Sequence, residues 1–151
     1  MTATSARGHT ALANDAWEAL LTAHTHLMRR FAAEDVWKDA SLREYDVLYT
    51  LSKCDGPQRI RDLGEHVLLS QPALSRLVDR LVERGLVGRC ADPADGRAAQ
   101  ISLTDAGRDV QRRIGLAHGR SVAAALAAAL SPEELEQLES LTRKLTSQEE
   151  S

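Results

Sequence analysis

At Gly85 the hydrophobic period of this chain changes, and no other feature restricts the possible folds as much. Before it, in SQPALSRLVDRLVERG (70–85), Leu74, Leu77, Val78 and Leu81 recur at i, i+3, i+4 and i+7, the spacing of one buried helical stripe. Ser70 is a good N-cap, and Pro72 falls in the first turn, where a missing N–H costs nothing because those amides lack intrahelical partners. Gly85 fits the left-handed position that ends a helix. After it, LVGRC (86–90) and AQISL (99–103) are short runs with strand character, separated by ADPADGRA, whose Pro, Asp and Gly are turn formers. The sequence therefore predicts a helix with one free polar face, followed at once by a β-hairpin with a long tip.

The flanking segments complete the pattern. From about Asn14 to Asp35, Trp17, Leu20, Leu21, Leu27, Met28 and Phe31 recur mostly three, four or seven apart, which predicts an amphipathic first helix. Ser41 and Glu44 form a capping box for LREYDVLYTLSKC, whose inner stripe is Leu42, Tyr45, Leu48, Tyr49 and Leu51. DGP (55–57) breaks that helix, and QRIRDLGEHV (58–67) reads as a short third one with Ile60, Leu63 and Val67 inward. Thr104 caps a helix that, if it runs to Leu130, is about 40 Å long at 1.5 Å per residue. LSPEELEQLESLTRKL closes the chain, with Ser131 as N-cap, Pro132 at the first helical position, Glu134 completing a capping box, and Leu135, Leu138, Leu141 and Leu145 in a stripe. The fold class is mostly α (α+β), with a winged helix-turn-helix core and a two-stranded wing.

At 151 residues and 43% hydrophobic content, one core is expected and two are not, so residues 1–151 read as a single domain. The net charge of −3 carries no overall basic field. Residues 59–97 nevertheless hold seven arginines against six acids, one net positive charge, which leaves −4 elsewhere. Two cysteines, Cys54 and Cys90, lack CxxC spacing and a neighbouring histidine pair, so no metal and no cofactor are expected, and a reducing, cytoplasmic setting fits. The opening MTATSARGHTALANDAW has no apolar h-region, and no run reaches the 18 or so apolar residues of a membrane span, so an unprocessed chain away from the membrane is expected. The first dozen residues and the TSQEES end are expected to fray.

The span SQPALSRLVDRLVERGLVGRCADPADGRAAQISLTDAGR (70–108) resembles the MarR family of bacterial transcription regulators, in which a helix ending RLVDRLEERGLV precedes a wing of the type DPxDxRxxxxxLTxxGR. The long first helix, LREYDVLYTL, the long helix after LT and the LSPEEL helix follow the family's order. The resemblance implies a homodimer whose terminal helices (12–36 and 104–147) intertwine while two winged cores (41–103) face adjacent turns of double-stranded DNA. It also implies release of the DNA by a small, often aromatic or anionic effector. The apolar residues of the first and the two last helices exceed what a three-helix winged core covers, and the alanines and leucines of 122–130 permit close helix contact, which independently favours a helical dimer over packing on the same subunit.

A helix N-terminus with short donors can lie against phosphates and base edges in a major groove about 12 Å wide. Ser70, Gln71, Ala73, Ser75 and Arg76 are therefore the expected contact residues, with Arg76 suited to a guanine edge and Gln71 to adenine. Arg80 is a phosphate candidate. The competing reading makes Arg76–Asp79 and Arg80–Glu83 surface ion pairs at i,i+3. The resemblance places Arg97, at the hairpin tip, in the minor groove, although Ala94 stands where many relatives carry arginine and Asp92 and Asp95 offer it an alternative hold. Arg59 and Arg61 are lesser phosphate candidates or ordinary solvated side chains. For an effector pocket, Trp17, His24, Tyr45 and His118 are the candidates, with His26 nearby in sequence. A buried core role is the competing reading for all of them.

Three other functions compete with this reading. A winged-helix module that binds protein rather than DNA would suit the acidic total charge. A redox sensor would need Cys54, next to Lys53, as its thiol, since the first helix has none. Some methyltransferases begin with a winged module, but no glycine-rich nucleotide loop follows here, so no enzyme is expected.

Overall fold

The computed structural model describes residues 8–147. The chain divides into two compact units, one ending at Asp35 and the other beginning at Val36. The first is a single helix, α1 (His9–Ala32), which starts five residues earlier than the apolar pattern indicates and carries Arg29 and Arg30 in its last turn, where they face the negative end of the helix dipole. Phe31 is its one buried residue, while Leu12, Trp17, Leu20 and Leu21 are exposed. Of the two end segments expected to fray, His9–Leu12 and Thr146 are helical, with Gly8 and Ser147 as the adjoining caps; residues 1–7 and 148–151 lie outside the described residues.

The second unit opens with α2 (Leu42–Ser52), capped by the expected box: the Glu44 N–H donates to Ser41 Oγ at 3.2 Å and the Ser41 N–H to Glu44 Oε2 at 2.8 Å. The helix packs against two further helices, α4 (Gln71–Glu83) and α5 (Asp105–Ala127), and against a strand of the sheet, so more than one face is covered. Val47 is therefore fully buried alongside Tyr45, Leu48 and Leu51, whereas Tyr49, placed in the inner stripe from sequence, is 44% exposed.

The segment 58–67 departs most from expectation. Gln58 and Arg59 form a short strand, β1, and only Ile60–Leu63 is helical (α3). The cause lies downstream. The hairpin of β2 (Val87–Ala91) and β3 (Ala99–Leu103) leaves one edge of β3 open, and β1 fills it with Gln58 opposite Ile101 and Arg59 opposite Gln100. The wing is thus the outer part of a three-stranded antiparallel sheet of order β1-β3-β2.

Helix α4 follows its pattern closely. The Ala73 N–H donates to Ser70 Oγ at 3.3 Å, Pro72 sits in the first turn, and Leu74, Leu77, Val78 and Leu81 are buried. Gly85, at φ 71°, supplies the left-handed residue that turns the chain from α4 into β2. Leu63, Val67, Leu86, Val87, Ile101, Val110 and Ile114 complete the core.

Helix α5 is 23 residues, about 34 Å, and stops at Ala127; Ala128 and Ala129 form a turn, and the helix does not run to Leu130. The last helix, α6 (Pro132–Thr146), has its predicted capping box and proline but buries none of its residues. Leu138, Leu141 and Leu145 are 39%, 60% and 64% exposed, and Leu116 on α5 is 67% exposed.

Candidate nucleic-acid interface

The polar face of α4 has two layers. Ser70 is exposed and its hydroxyl oxygen caps the helix, so what it offers a partner is its O–H. Gln71, Arg76 and Arg80 are exposed, and Ala73 and Ser75 are half-buried close to the backbone. No bulky apolar side chain rises among these positions.

The acids on this face decide whether its arginines are available. Asp79 lies between Arg76 and Arg80 and pairs with neither: its Oδ1 accepts from Nη2 of Arg89 on β2. Arg76 and Arg80 have no ion pair among the described residues, so the i,i+3 pairing is not realised. Arg89 was missed from sequence because no spacing rule links 79 to 89. They meet only because Gly85 reverses the chain.

The wing resolves the alternatives for its arginine as well. Asp92 is 4% exposed, and its Oδ2 accepts from Arg59 Nε at 2.6 Å and Nη2 at 2.5 Å, while Oδ1 accepts from the Ala94 N–H at 2.9 Å. Those bonds, the Ala94 amide first and the Arg59 guanidinium next, hold the Asp92 carboxyl below the usual carboxylate range. The pair is therefore intact at neutral pH, and its contribution is lost only as pH falls through that lowered value. Asp95 uses Oδ1 on the Arg97 backbone N–H at 3.1 Å. Neither acid holds the Arg97 guanidinium, which stands exposed at the tip. Arg59 corrects the sequence reading in the other direction: its side chain is committed to Asp92. Arg61 is on an open surface, 3.6 Å from Asp62.

Of the four pocket candidates, the structure brings two together. Tyr45 on α2 and His118 on α5 lie with ring centroids 5.6 Å apart at 77°, and Trp37, which sequence reasoning missed, closes a triangle at 5.8 Å from Tyr45 and 5.2 Å from His118. Burial raises the Tyr45 hydroxyl's pKa, partly offset by a hydrogen bond with Gln111, and burial likewise raises that of Asp46, against the pull of His118 and Arg43. Trp17, 59% exposed, and His24 lie on α1, in the other unit. The Cys54 thiol donates to the Thr50 carbonyl at 3.3 Å, and the Lys53 ammonium sits over the Tyr49 ring, 5.1 Å from its centroid. Cys90 is exposed on β2. Among the described residues no group of three His, Cys, Asp or Glu is placed to hold a metal ion, and no single helix is long and apolar enough to cross a membrane.

A free-faced helix after a turn, followed by a wing with an exposed arginine, is the arrangement of a winged helix-turn-helix protein. The MarR family model matches residues 39–98, and the chain belongs to the MarR family, whose members are transcription regulators and not enzymes. The HTH-type transcriptional regulator YkoM of Bacillus subtilis is 33% identical over 99 residues, 66% of this chain and 61% of YkoM. The chain spans between about half and three fifths of the curated relatives it matches. Among solved structures, the MarR family transcriptional regulator Sco3205 of Streptomyces coelicolor, in complex with DNA, superposes at TM-score 0.75 with 26% identity, covering 88% of this chain and 84% of that one. The PcaV transcriptional regulator of the same organism, in complex with its natural ligand, is 30% identical at TM-score 0.65, covering 97% of this chain and 98% of that one.

Proposed function

We propose that this protein is a sequence-specific DNA-binding transcription regulator: a homodimeric cytoplasmic repressor that leaves a palindromic operator when a small aromatic or anionic effector binds. The observation that carries the DNA reading is the state of the α4 face, where Arg89 occupies the one acid between Arg76 and Arg80 and leaves both arginines uncommitted. Gln71, Ser75 and Arg76 are its base-reading residues, Ser70 and Ala73 bring the helix start against the duplex, and Arg80 and Arg97 contact phosphate and minor groove. Sco3205 in complex with DNA supports the first part of this reading, and PcaV with its natural ligand supports the effector. For the effector, the packed rings of Tyr45, His118 and Trp37 are the aromatic group that supports the reading, with Tyr45 itself buried in the core.

The test is selection of genomic duplex fragments by the purified protein. A two-fold dimer sets its recognition helices about 34–36 Å apart, so the enriched fragments are expected to share a palindrome with half-site centres about 10 base pairs apart. Adding small aromatic acids one at a time is expected to release the bound fragment with at least one of them; a complex that survives all of them removes the effector from the proposal. Fragments without a shared motif favour a protein-binding module instead.

The dimer has its own prediction. Leu138, Leu141 and Leu145 of α6 are exposed in the single chain, and a leucine gains about 1.5–3 kcal/mol on full burial. Leu138→Glu with Leu141→Glu is therefore expected to turn a sedimenting dimer into a monomer without unfolding the winged core, because neither side chain is part of that core. An unchanged dimer mass excludes α6 as the interface.

A further inference from the structure

Arg59 and Asp92 are separated by 33 residues, and their side chains meet across the central strand of the sheet. Arg59 lies on β1 opposite Gln100 of β3, and Asp92 immediately follows β2, whose last residue Ala91 lies opposite Ala99 of β3. The ion pair thus joins the two outer strands at the level where the hairpin leaves the sheet. From Asp92 the order runs outward: Oδ1 takes the Ala94 N–H, the Asp92 N–H donates to the Ala98 carbonyl at 3.0 Å, the Ala98 N–H to the Asp95 carbonyl at 3.1 Å, and Asp95 Oδ1 takes the Arg97 N–H. Every bond in this chain fixes the backbone that carries Arg97. Asp92 is 4% exposed on a hairpin whose other tip residues are mostly exposed, and its carboxylate is satisfied by Arg59 and by the hairpin backbone at Ala94.

We propose that Arg59 is a positioning residue for the wing: it acts through Asp92 to set the 92–98 hairpin and present Arg97 to DNA, without contacting DNA itself. This rests on the DNA-binding reading above. It differs from the phosphate-contact role that an arginine at this place in a DNA-binding domain would otherwise receive, and the two roles give opposite signs for one substitution. Asp92→Asn keeps the Oδ1 acceptor for Ala94 but releases the guanidinium. If Arg59 touched phosphate, its release would tighten binding. If it positions the wing, Asp92→Asn and Arg59→Gln weaken binding alike.

The experiment titrates the full-length protein against its selected operator at several salt concentrations for Arg59→Gln, Asp92→Asn, Arg97→Ala and the Arg59→Gln/Arg97→Ala pair. Both Arg59→Gln and Asp92→Asn are expected to weaken binding by a factor no larger than Arg97→Ala does and to lower the slope of log affinity against log salt by up to about one per subunit. The double variant is expected to bind no worse than Arg97→Ala alone, because the hairpin then has nothing left to deliver. Multiplying losses, a slope lowered by about two per subunit in the double variant, or tighter binding by Asp92→Asn overturns the proposal. Amide hydrogen exchange of the free protein gives a readout independent of DNA: Ala94, Arg97 and Ala98 are expected to exchange faster in Arg59→Gln while α4 keeps its protection. If the parent binds no duplex, the DNA reading fails on its own and the exchange result alone decides whether Arg59 sets the hairpin; unchanged exchange at all three amides overturns that too.

Discussion

Gly107→Ala is expected to be the most damaging single substitution in the winged unit. Gly107 lies in the first turn of α5, where its N–H donates to the capping Thr104 Oγ1 at 3.0 Å, and a Cβ at this position would sit 2.0 Å from the Leu86 carbonyl oxygen. The obstacle is backbone at the start of the wing. It is held there by the Thr104 N–H, which donates to that same carbonyl at 3.2 Å, and by the Thr104 hydroxyl, which donates to the Gly85 carbonyl at 2.6 Å. Relief requires moving α5 away from the sheet, so a cost at or above the upper end of the usual 1–3 kcal/mol for overpacking is expected. For a chain of this size that lowers the melting temperature by roughly 6–12 °C. Gly119, on the same helix with nothing within 4 Å of its would-be Cβ, is the control: Gly119→Ala is expected to leave the melting temperature unchanged or raise it, since alanine is the better helix former by about 1 kcal/mol. Equal melting temperatures for Gly107→Ala and the parent contradict this account of how α5 docks.

The same glycine shows how far a sequence can be read. In LTDAG the cap, the helix start and the strand before it are legible from residue types alone, because capping depends on bonds within a few residues. That holds for Ser41, Ser70, Thr104 and Ser131, all of which cap the helices predicted for them. The buried stripe of α4 is equally legible, since one helix face meets one core. Positions decided by distant partners are not. Gln58 and Arg59 have no local reason to be a strand, and become one because β3 has an open edge. Val47 and Tyr49 exchange places because α2 is covered by two helices and a strand, which a single stripe cannot express.

The candidate interface divides in the same way. Its side chains on α4 were named from spacing and capping. The availability of Arg76 and Arg80 is not legible there, because it turns on Arg89 taking Asp79, and neither is that of Arg97 on the wing, which turns on Arg59 taking Asp92, contacts spanning 10 and 33 residues. In the aromatic cluster, Tyr45 and His118 were named but Trp37, between helices and outside any periodic stripe, was not.

The central claim is that the polar face of α4 reads base sequence while the wing arginine supplies sequence-independent attraction. Arg76→Ala is expected to cost roughly 1–3 kcal/mol, about 5- to 150-fold in affinity, and to relax preference at one position in each half-site, because a bidentate arginine–guanine contact distinguishes that base pair from the others. Arg97→Ala is expected to weaken all sequences alike and to lower the salt slope by about one per subunit. The measurement that separates these is a binding titration of Arg76→Ala, Arg97→Ala and the parent against the operator and its single-base mutants at several salt concentrations. The account predicts that Arg76→Ala loses discrimination at one base pair per half-site and Arg97→Ala at none. Binding of every sequence by Arg76→Ala at the parent's affinity would contradict it, and would reduce the α4 face to solvated surface.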